Sequence, residues 1–440
     1  MNISIFGAGY VGTTTAACFA LKHQVTLIDI DPEKIKAIEN RKPFFYEEGL
    51  DEIIQKVTAN KSLRAIHIDS DVPASDLVFI CVGTPSDSSG HIDLTQVRDV
   101  AKKLKQDLSK FARDGSILVM KSTVVPGTTR RYLNPIVQNK TKLGVAMNPE
   151  FLAQGSAVRD TLHPNRIVIG ADKDWVFEKL KTFYWDFYAG QDIPILTMSL
   201  ESTEFAKYAS NALLATKISF ANELANIVET VPNADIGEIM NVVGLDHRIM
   251  PKFLNAGIGF GGSCFPKDLK ALIRFAEDNT GYSSPILQSV LNINKRRPLY
   301  LVKILREELG SLDDKKIAVL GLTFKPGTSD IREAPSLDII SALWRYGAEV
   351  YVHDPVLDQI DLRPFKRFDV KFCKDIYDCL DSAEACILVT EWAEYQKLDL
   401  SEMTSSMKKK LIIDGRRIFA NKKMPSDVQY FTVGRRSKKT

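Results

Sequence analysis

Residues 1–29 read MNISIFGAGYVGTTTAACFALKHQVTLID, and they decide the fold. An apolar strand runs into Gly7-Ala8-Gly9-Tyr10-Val11-Gly12, an apolar helical segment follows, and a second strand, VTLID, ends on Asp29. A G-x-G-x-x-G match carries meaning only between a strand and a helix, and here it has both. Glycines at these positions allow a tight turn and let the backbone approach a pyrophosphate, whose charge the amides and dipole of the helix N-terminus stabilise. An acid at the end of the second strand can accept hydrogen bonds from the adenosine ribose hydroxyls and repel a 2′-phosphate, so Asp29 selects NAD over NADP. The competing reading is a glycine turn that only packs a helix against a strand; strand, helix and acid in register weigh against it. Lys34 either contacts the adenosine side or is a surface lysine of the helix opening at Asp31-Pro32.

Outward from this unit, short β-rich runs at residues 3–6, 24–29, 76–82, 116–121, 144–147 and 166–170 alternate with helical patterns, the sequence form of a parallel sheet wrapped by helices. From Ser199 the pattern becomes one stretch, SLESTEFAKYASNALLATKISFANELANIVET, with apolar residues spaced by threes and fours and no Gly or Pro before Pro232, which predicts a long helix. Helical character continues to about Gly310, and strands then resume at residues 316–320, 349–353, 385–389 and 410–414. The expected fold class is α/β: an N-terminal Rossmann domain over 1–197, a central all-helical domain over 198–310, and a C-terminal Rossmann-like α/β domain over 311–440. Both α/β parts open with an apolar strand entering a glycine turn, Gly7–Gly12 and Gly321–Gly327, consistent with two copies of one architecture.

Across 440 residues, 45% hydrophobic and 26% charged composition with 25 Gly and 19 Pro is that of a folded globular chain, not of a disordered, collagenous or coiled-coil one. A formal charge of +3 is too mild to make nucleic acid the main partner. Six cysteines without a CxxC pair argue against structural zinc and a secreted disulfide framework. With no signal-like N-terminal segment and no uncharged apolar run of membrane-spanning length, the expected protein is cytoplasmic, away from membranes, and without metal; His163 and His247 lack ligand spacing.

The most informative chemical stretch is Gly259-Phe260-Gly261-Gly262-Ser263-Cys264-Phe265-Pro266-Lys267-Asp268. A cysteine between flexible glycines and a helix start at Pro266 has its sulfur near a helix N-terminus, which favours the thiolate. An isolated cysteine is more often buried and inert; the glycines shift that balance, and Asp268 can share the same face. Lys207 and Asn211, at i and i+4 on the long helix, point to one side and can stabilise an oxyanion or hold a water, or else form an exposed face. In the second α/β part, Lys325, Arg332, Arg416 and Arg417 fall at or just beyond carboxyl ends of strands, where open sheets bind ligands. There they form an anion site or solvated loop charges. The basic clusters 408–410 and 435–439 read as a solvated tail rather than a partner surface.

Gly7–Gly12, Val82-Gly83-Thr84-Pro85, Lys121-Ser122-Thr123-Val124, Asn148-Pro149-Glu150-Phe151-Leu152, KYASNALLATKISFANE (207–223), FLNAGIGFGGSCFPKD (253–268), FKPGTSDIRE (324–333) and DGRR (414–417) together resemble, in order and over nearly the whole chain, the nucleotide-sugar dehydrogenase family. FGGSCFPKD and NPEFL resemble its UDP-glucose branch. The resemblance implies a two-step, four-electron oxidation of UDP-glucose at C6 to UDP-glucuronate, two NAD per turnover, and a homodimer built around the long helix.

Position by position, the resemblance makes Cys264 the nucleophile that captures the aldehyde as a thiohemiacetal, later a thioester. Lys207 and Asn211 would stabilise oxyanion charge, Asp268 would assist proton transfer and hydrolysis, and Thr123 and Glu150 would position water or substrate. Cofactor contacts fall to Gly7, Gly9, Tyr10, Val11, Gly12, Asp29, Lys34, Val82, Gly83, Thr84, Pro85, Ser122, Thr123, Gln154 and Arg332. Gln154 departs from the acid usual in animal members. Substrate contacts fall to Glu150, Phe151, Leu152, Lys207, Asn211, Asn255, Gly259, Phe260, Gly261, Lys325, one of Arg416 and Arg417, and Arg248, whose family equivalent reaches into the neighbouring subunit. The alternatives are the same chemistry on UDP-galactose, UDP-N-acetylhexosamine or GDP-mannose, a one-step hydroxyacid dehydrogenase, or a non-catalytic NAD and nucleotide-sugar binding module. The last predicts erosion of Lys207, Asn211, Cys264 and Asp268, all of which are present.

Overall fold

A computed structural model describes residues 1–138 and 142–436. Its contacts gather into two compact units, Met1–Ser210 with Lys270–Asp278, and Asn211–Leu269 with Asn279–Thr440. In the first unit, β1 (Asn2–Phe6), β2 (Gln24–Asp29), β3 (Leu63–His67), β4 (Ser75–Ile80), β5 (Ala112–Met120), β6 (Gly144–Met147), β7 (Ile167–Ala171) and β8 (Ile195–Met198) form one sheet, ordered β3-β2-β1-β4-β5-β6-β7-β8. Alternate residues of each strand enter opposite cores: Ile3, Ile5, Leu77 and Phe79 one, Phe6, Val78 and Ile80 the other. Burial on both faces explains why these strands read as continuous apolar runs.

The sheet is parallel, as expected, except at one pairing: β7 runs antiparallel to β6, and β8 parallel to β7. The intervening chain forms the loop carrying Glu150 and one short helix, Ala157–Leu162, then re-enters the sheet at the end it left.

In the second unit, β9 (Lys316–Leu320), β10 (Glu349–His353), β11 (Val370–Phe372), β12 (Ala385–Leu388), β13 (Leu411–Asp414) and β14 (Gln429–Thr432) form a parallel sheet ordered β11-β10-β9-β12-β13-β14. Its first turn repeats that of the first unit bond for bond. Gly7 donates to the Ile28 carbonyl (2.7 Å) and Gly321 to that of His353 (2.8 Å). Ala8 donates to Asp29 Oδ2 (2.5 Å), and Leu322 to Asp354 Oδ2 (2.7 Å). The copies then diverge. Asp354 is 2% exposed and also accepts from Thr323, Val356 and Trp392 Nε1, so its carboxylate is committed to holding its own turn.

The long helix spans Leu200–Val228. Ala221, Ala225 and Val228 enter the second unit's core, whereas Leu213, Phe220 and Ile227 on the same helix are 63%, 48% and 57% exposed.

Close approach explains Gly12: a Cβ there would overlap the Gly7 carbonyl oxygen and press on the Cys81 side chain, while one on Gly9 would meet open space. Gly12→Ala is therefore expected to push the turn away from the helix N-terminus and weaken NAD binding about tenfold or more, as a titration followed by NADH fluorescence would show.

Candidate active site

The cofactor residues expected from the sequence gather at the carboxyl ends of β1, β2, β4 and β5. Asp29, nearly buried, accepts from the amides of Ala8 and Asp31, with Lys34 Nζ 3.9 Å away. Lys34 lies 3.7 Å from Asp31 and over the Phe44 ring. Past β4, Gly83 N donates to Gln96 Oε1 (3.0 Å) and Thr84 Oγ1 to the Thr123 carbonyl (2.8 Å), while Ser122 Oγ donates back to that of Val82 (2.7 Å). These bonds tie the segments 82–85 and 122–123 into one wall. Tyr10 stacks against Phe45 and its hydroxyl accepts from Gly155 N, beside Gln154. The close-packed glycine turn, the helix N-terminus and the acid at the strand end fit a dinucleotide.

Glu150 and Lys207 form the buried charge pair of the first unit. Glu150 is 8% exposed and Lys207 3%; Glu150 Oε1 lies 3.0 Å from Lys207 Nζ, and Oε2 accepts from Leu152 N. Phe151 presents its ring to Lys207 at 5.4 Å and to the Arg166 guanidinium at 3.9 Å. A buried pair of this kind fixes both side chains in direction.

The second unit holds the thiol. Cys264 is exposed and immediately precedes the helix Phe265–Thr280, with Asp268 N donating to its carbonyl at 2.8 Å. Its sulfur therefore stands at the helix N-terminus, one turn from Asp268, as its spacing predicts. Arg332 is held by a two-pronged bond to Asp330 and lies close enough to Cys264 for their charges to interact. A helix N-terminus and a guanidinium both favour a thiolate. Asp268, 2% exposed, accepts from Asn211 Nδ2 and Lys267 Nζ, each at 2.6 Å. Arg332, expected on the cofactor side, is thus placed by the structure beside the thiol.

Four side chains that sequence reasoning overlooked or left ambiguous hold the glycine loop before Cys264. Asn222 Oδ1 accepts from Gly257 N (2.7 Å), Arg297 Nε donates to the Gly257 carbonyl (2.8 Å), and Asn294 brackets Phe260 by bonding both its N–H and its carbonyl. Arg416 Nη1 donates to the Gly259 carbonyl (3.0 Å), and its Nε to that of Val389. At Gly262, φ is +81° and a Cβ would strike the Phe324 ring, so only glycine lets the loop lie against the turn that carries Lys325.

Arg416 and Arg417 point to different partners. Arg416 lies on the cysteine loop, whereas Arg417 turns away to Asp235 (2.7 Å) and the Val433 carbonyl. Burial raises the Asp235 carboxyl, but Arg417 and Arg435 outweigh it and bring it to about 2. Arg435 is therefore an anchored ion-pair residue, which corrects its reading as part of a solvated tail; residues 437–439 lie outside the described residues. Lys408 and Lys410 pair with Glu384 and Asp427. Arg248 is exposed and paired with Asp246, and Asn255 is exposed at the start of the loop.

Four of the other five cysteines differ from Cys264; the fifth, Cys373, is half-buried, and its hydrogen bond with Cys379 lowers its thiol to about 7. Cys18, Cys81, Cys379 and Cys386 are buried, and burial pushes the thiols of Cys18 and Cys81 up to about 12. Among the described residues no group of three or more His, Cys, Asp or Glu side chains is placed to hold a metal, and no helix is long and apolar enough to cross a membrane.

Comparison with known proteins agrees with this arrangement. Residues 1–188 match the NAD binding domain of the UDP-glucose/GDP-mannose dehydrogenase family, 201–296 its central domain and 318–421 its UDP binding domain. The chain is 38% identical to a UDP-glucose 6-dehydrogenase of Bacillus subtilis, over 99% of this chain and 93% of that one. It is 40% identical to one of Haloferax volcanii, over 95% and 97%. The solved UDP-glucose dehydrogenase of Pyrobaculum islandicum superposes with a TM-score of 0.88 at 36% identity, over 99% and 98% of the two chains.

Proposed function

Because the chain belongs to the UDP-glucose/GDP-mannose dehydrogenase family and is an NAD-dependent oxidoreductase, we propose that it oxidises C6 of UDP-glucose twice, giving UDP-glucuronate. The observation that carries this reading is the exposed Cys264 thiol at a helix N-terminus beside Arg332. An alcohol-to-aldehyde enzyme needs no such nucleophile.

In this reading the helix Leu200–Val228 contributes Lys207 and Asn211 one turn apart. The three segments expected from sequence serve as cofactor, central and nucleotide-sugar parts, as the three matched family domains support. The glycine turn Gly7–Gly12 and Asp29 would hold NAD, which would supply the hydride acceptor for each of the two oxidations. Asp268 takes the C6 hydroxyl proton, directly or through a water, and the Lys207 ammonium, aimed by Glu150, stabilises the alkoxide that forms. Cys264 Sγ then adds to the aldehyde carbon: a C–S bond forms, the carbonyl π pair moves onto oxygen, and that oxygen takes a proton. The captured carbon again carries a transferable hydrogen, and its second oxidation yields the thioester. Asp268, held by Asn211 and Lys267, guides the water that adds to the acyl carbon; the C–S bond breaks and the thiolate returns. Thr123, tied to Thr84, and Phe151 and Leu152 beside Glu150 line the sugar, while Arg416, Lys325 and the loop at 259–261 take the diphosphate.

The same reading includes a homodimer. Leu213, Phe220 and Ile227 recur every seventh residue along one exposed helix face, a stripe that a second copy would bury, and Arg248 projects from the same unit to reach the partner's site. Six unbridged cysteines suit a reducing cytoplasm.

The test is a count of NADH formed when limiting UDP-glucose is exhausted with excess NAD. Two NADH per sugar are expected. One per sugar would reduce the enzyme to a single-step alcohol dehydrogenase, and turnover only with a UDP-N-acetylhexosamine would move the substrate to another branch.

A further inference from the structure

We propose that Cys373 and Cys379 form a redox modification site for hydroperoxides: the peroxide oxidises the Cys373 sulfur, and Cys379 resolves the product into a reversible intramolecular disulfide. The site lies within the second unit and does not depend on which sugar nucleotide the enzyme oxidises.

The chain builds it locally. Cys373 follows β11, the edge strand of the second sheet, and its N–H donates to the Val352 carbonyl at 2.8 Å, directly after the pairing of β11 with β10. Asp375 then starts the helix Ile376–Leu380 by accepting from Tyr377 N at 2.7 Å. That turn brings the two cysteines together: Cys373 packs on the apolar cluster that contains Cys379 and Cys386, and the Cys373 and Cys379 thiols hydrogen-bond to each other. Cys373 is half-buried and so open to a small oxidant, whereas Cys379 and Cys386 are buried. Lys316 stands beside Cys373, its Nζ donating to the Asp378 carbonyl at 3.2 Å and lying over the Tyr351 ring at 3.8 Å; Asp375 and Asp378 are the opposing charges. Three strands, β10, β9 and β12, separate β11 from β13 and its Arg416 turn, which sets this pair apart from the loop around Cys264.

An accessible thiol in contact with a second, protected one is the arrangement of a redox-responsive cysteine and its resolving partner. The hydrogen bond with Cys379 stabilises the Cys373 thiolate, and Lys316 adds to it against the opposing effect of burial; the same bond, together with burial, pushes the Cys379 thiol well up. Cys373 is thereby the nucleophile. Its thiolate attacks one peroxide oxygen, the O–O bond breaks, the departing hydroxide takes a proton to become water, and Cys373 is left as a sulfenic acid. The Cys379 sulfur then gives up its proton and attacks the Cys373 sulfur. An S–S bond forms, the S–O bond breaks, and a second water leaves. The two thiols lose two electrons and the peroxide gains them; a dithiol reductant restores the pair by exchange.

The experiment treats reduced full-length protein carrying Cys264→Ser, which removes the competing thiol, with hydrogen peroxide, blocks the remaining thiols with iodoacetamide after denaturation and maps the tryptic peptides. Cleavage after Lys371, Lys374 and Lys397 puts Cys373 on the peptide 372–374 and Cys379 with Cys386 on 375–397. The expected result is these two peptides joined, with fragmentation assigning the bridge to Cys379 and dithiothreitol separating them. Cys373 should be oxidised about tenfold or more faster than Cys18, Cys81 or Cys386. With Cys379→Ala added, Cys373 should instead accumulate as sulfinic acid; with Cys373→Ser added, Cys379 should stay a thiol. The bridge in the parent protein is read without either added variant. A bridge to Cys386, a Cys373 sulfinic acid without any bridge in the parent, or a Cys373 no more reactive than the buried cysteines would overturn the proposal.

Discussion

Cys264→Ser is expected to cut steady-state formation of UDP-glucuronate by on the order of a thousandfold or more, the scale of losing a covalent nucleophile. The helix N-terminus of Phe265–Thr280 and Arg332 act on whatever stands at position 264. They favour the ionised form of a thiol but cannot ionise an alcohol, whose proton is held far more tightly. Serine is also a poorer leaving group than thiolate, so any captured acyl group would be released slowly. Single-turnover measurement should then show at most one NADH per active site, with the thermal midpoint unchanged because the exposed side chain supports no packing. Retention of turnover within tenfold of wild type would mean that the second oxidation bypasses Cys264.

Lys207→Ala is expected to lower kcat by about 10²–10³, the scale of losing one preorganised donor to a developing oxyanion. It should also destabilise the fold, because Glu150 would be left buried without its ion-pair partner. Breaking one partner of a buried pair costs about 3–5 kcal/mol, less if Glu150 takes up a proton. The double variant Lys207→Ala with Glu150→Gln separates the two effects: stability measured by urea unfolding should return toward wild type while kcat stays low. Recovery of activity with stability would show that Lys207 serves the fold alone.

What could be read before folding follows from where side chains are buried. Central strands such as β1, β4 and β9 show as apolar runs because both faces are covered. The strands missed were β3, β8, β11 and β14, which have interleaved polar residues or exposed positions, as Arg64 in β3 and Leu196 in β8 illustrate. The reversed direction of β7 has no signature, because IVIGA packs equally well either way. In the site, Cys264 and Lys207 were legible from local context, a glycine loop before a helix and a spacing along one. Asn294 and Arg297 were not, because they reach the loop from a helix that carries no motif. The different directions of the adjacent Arg416 and Arg417 were not legible, because the partner of Arg417, Asp235, is distant in sequence.

The most direct measurement of covalent double oxidation is intact-mass and peptide analysis of enzyme acid-quenched during turnover with UDP-glucose and NAD. Acylation through Cys264 predicts a UDP-glucuronyl adduct on the peptide spanning residues 253–268, more abundant in Asp268→Asn, whose thioester hydrolysis is slowed. Formation of two NADH per sugar with no adduct in either enzyme, or with the adduct on another residue, would contradict it.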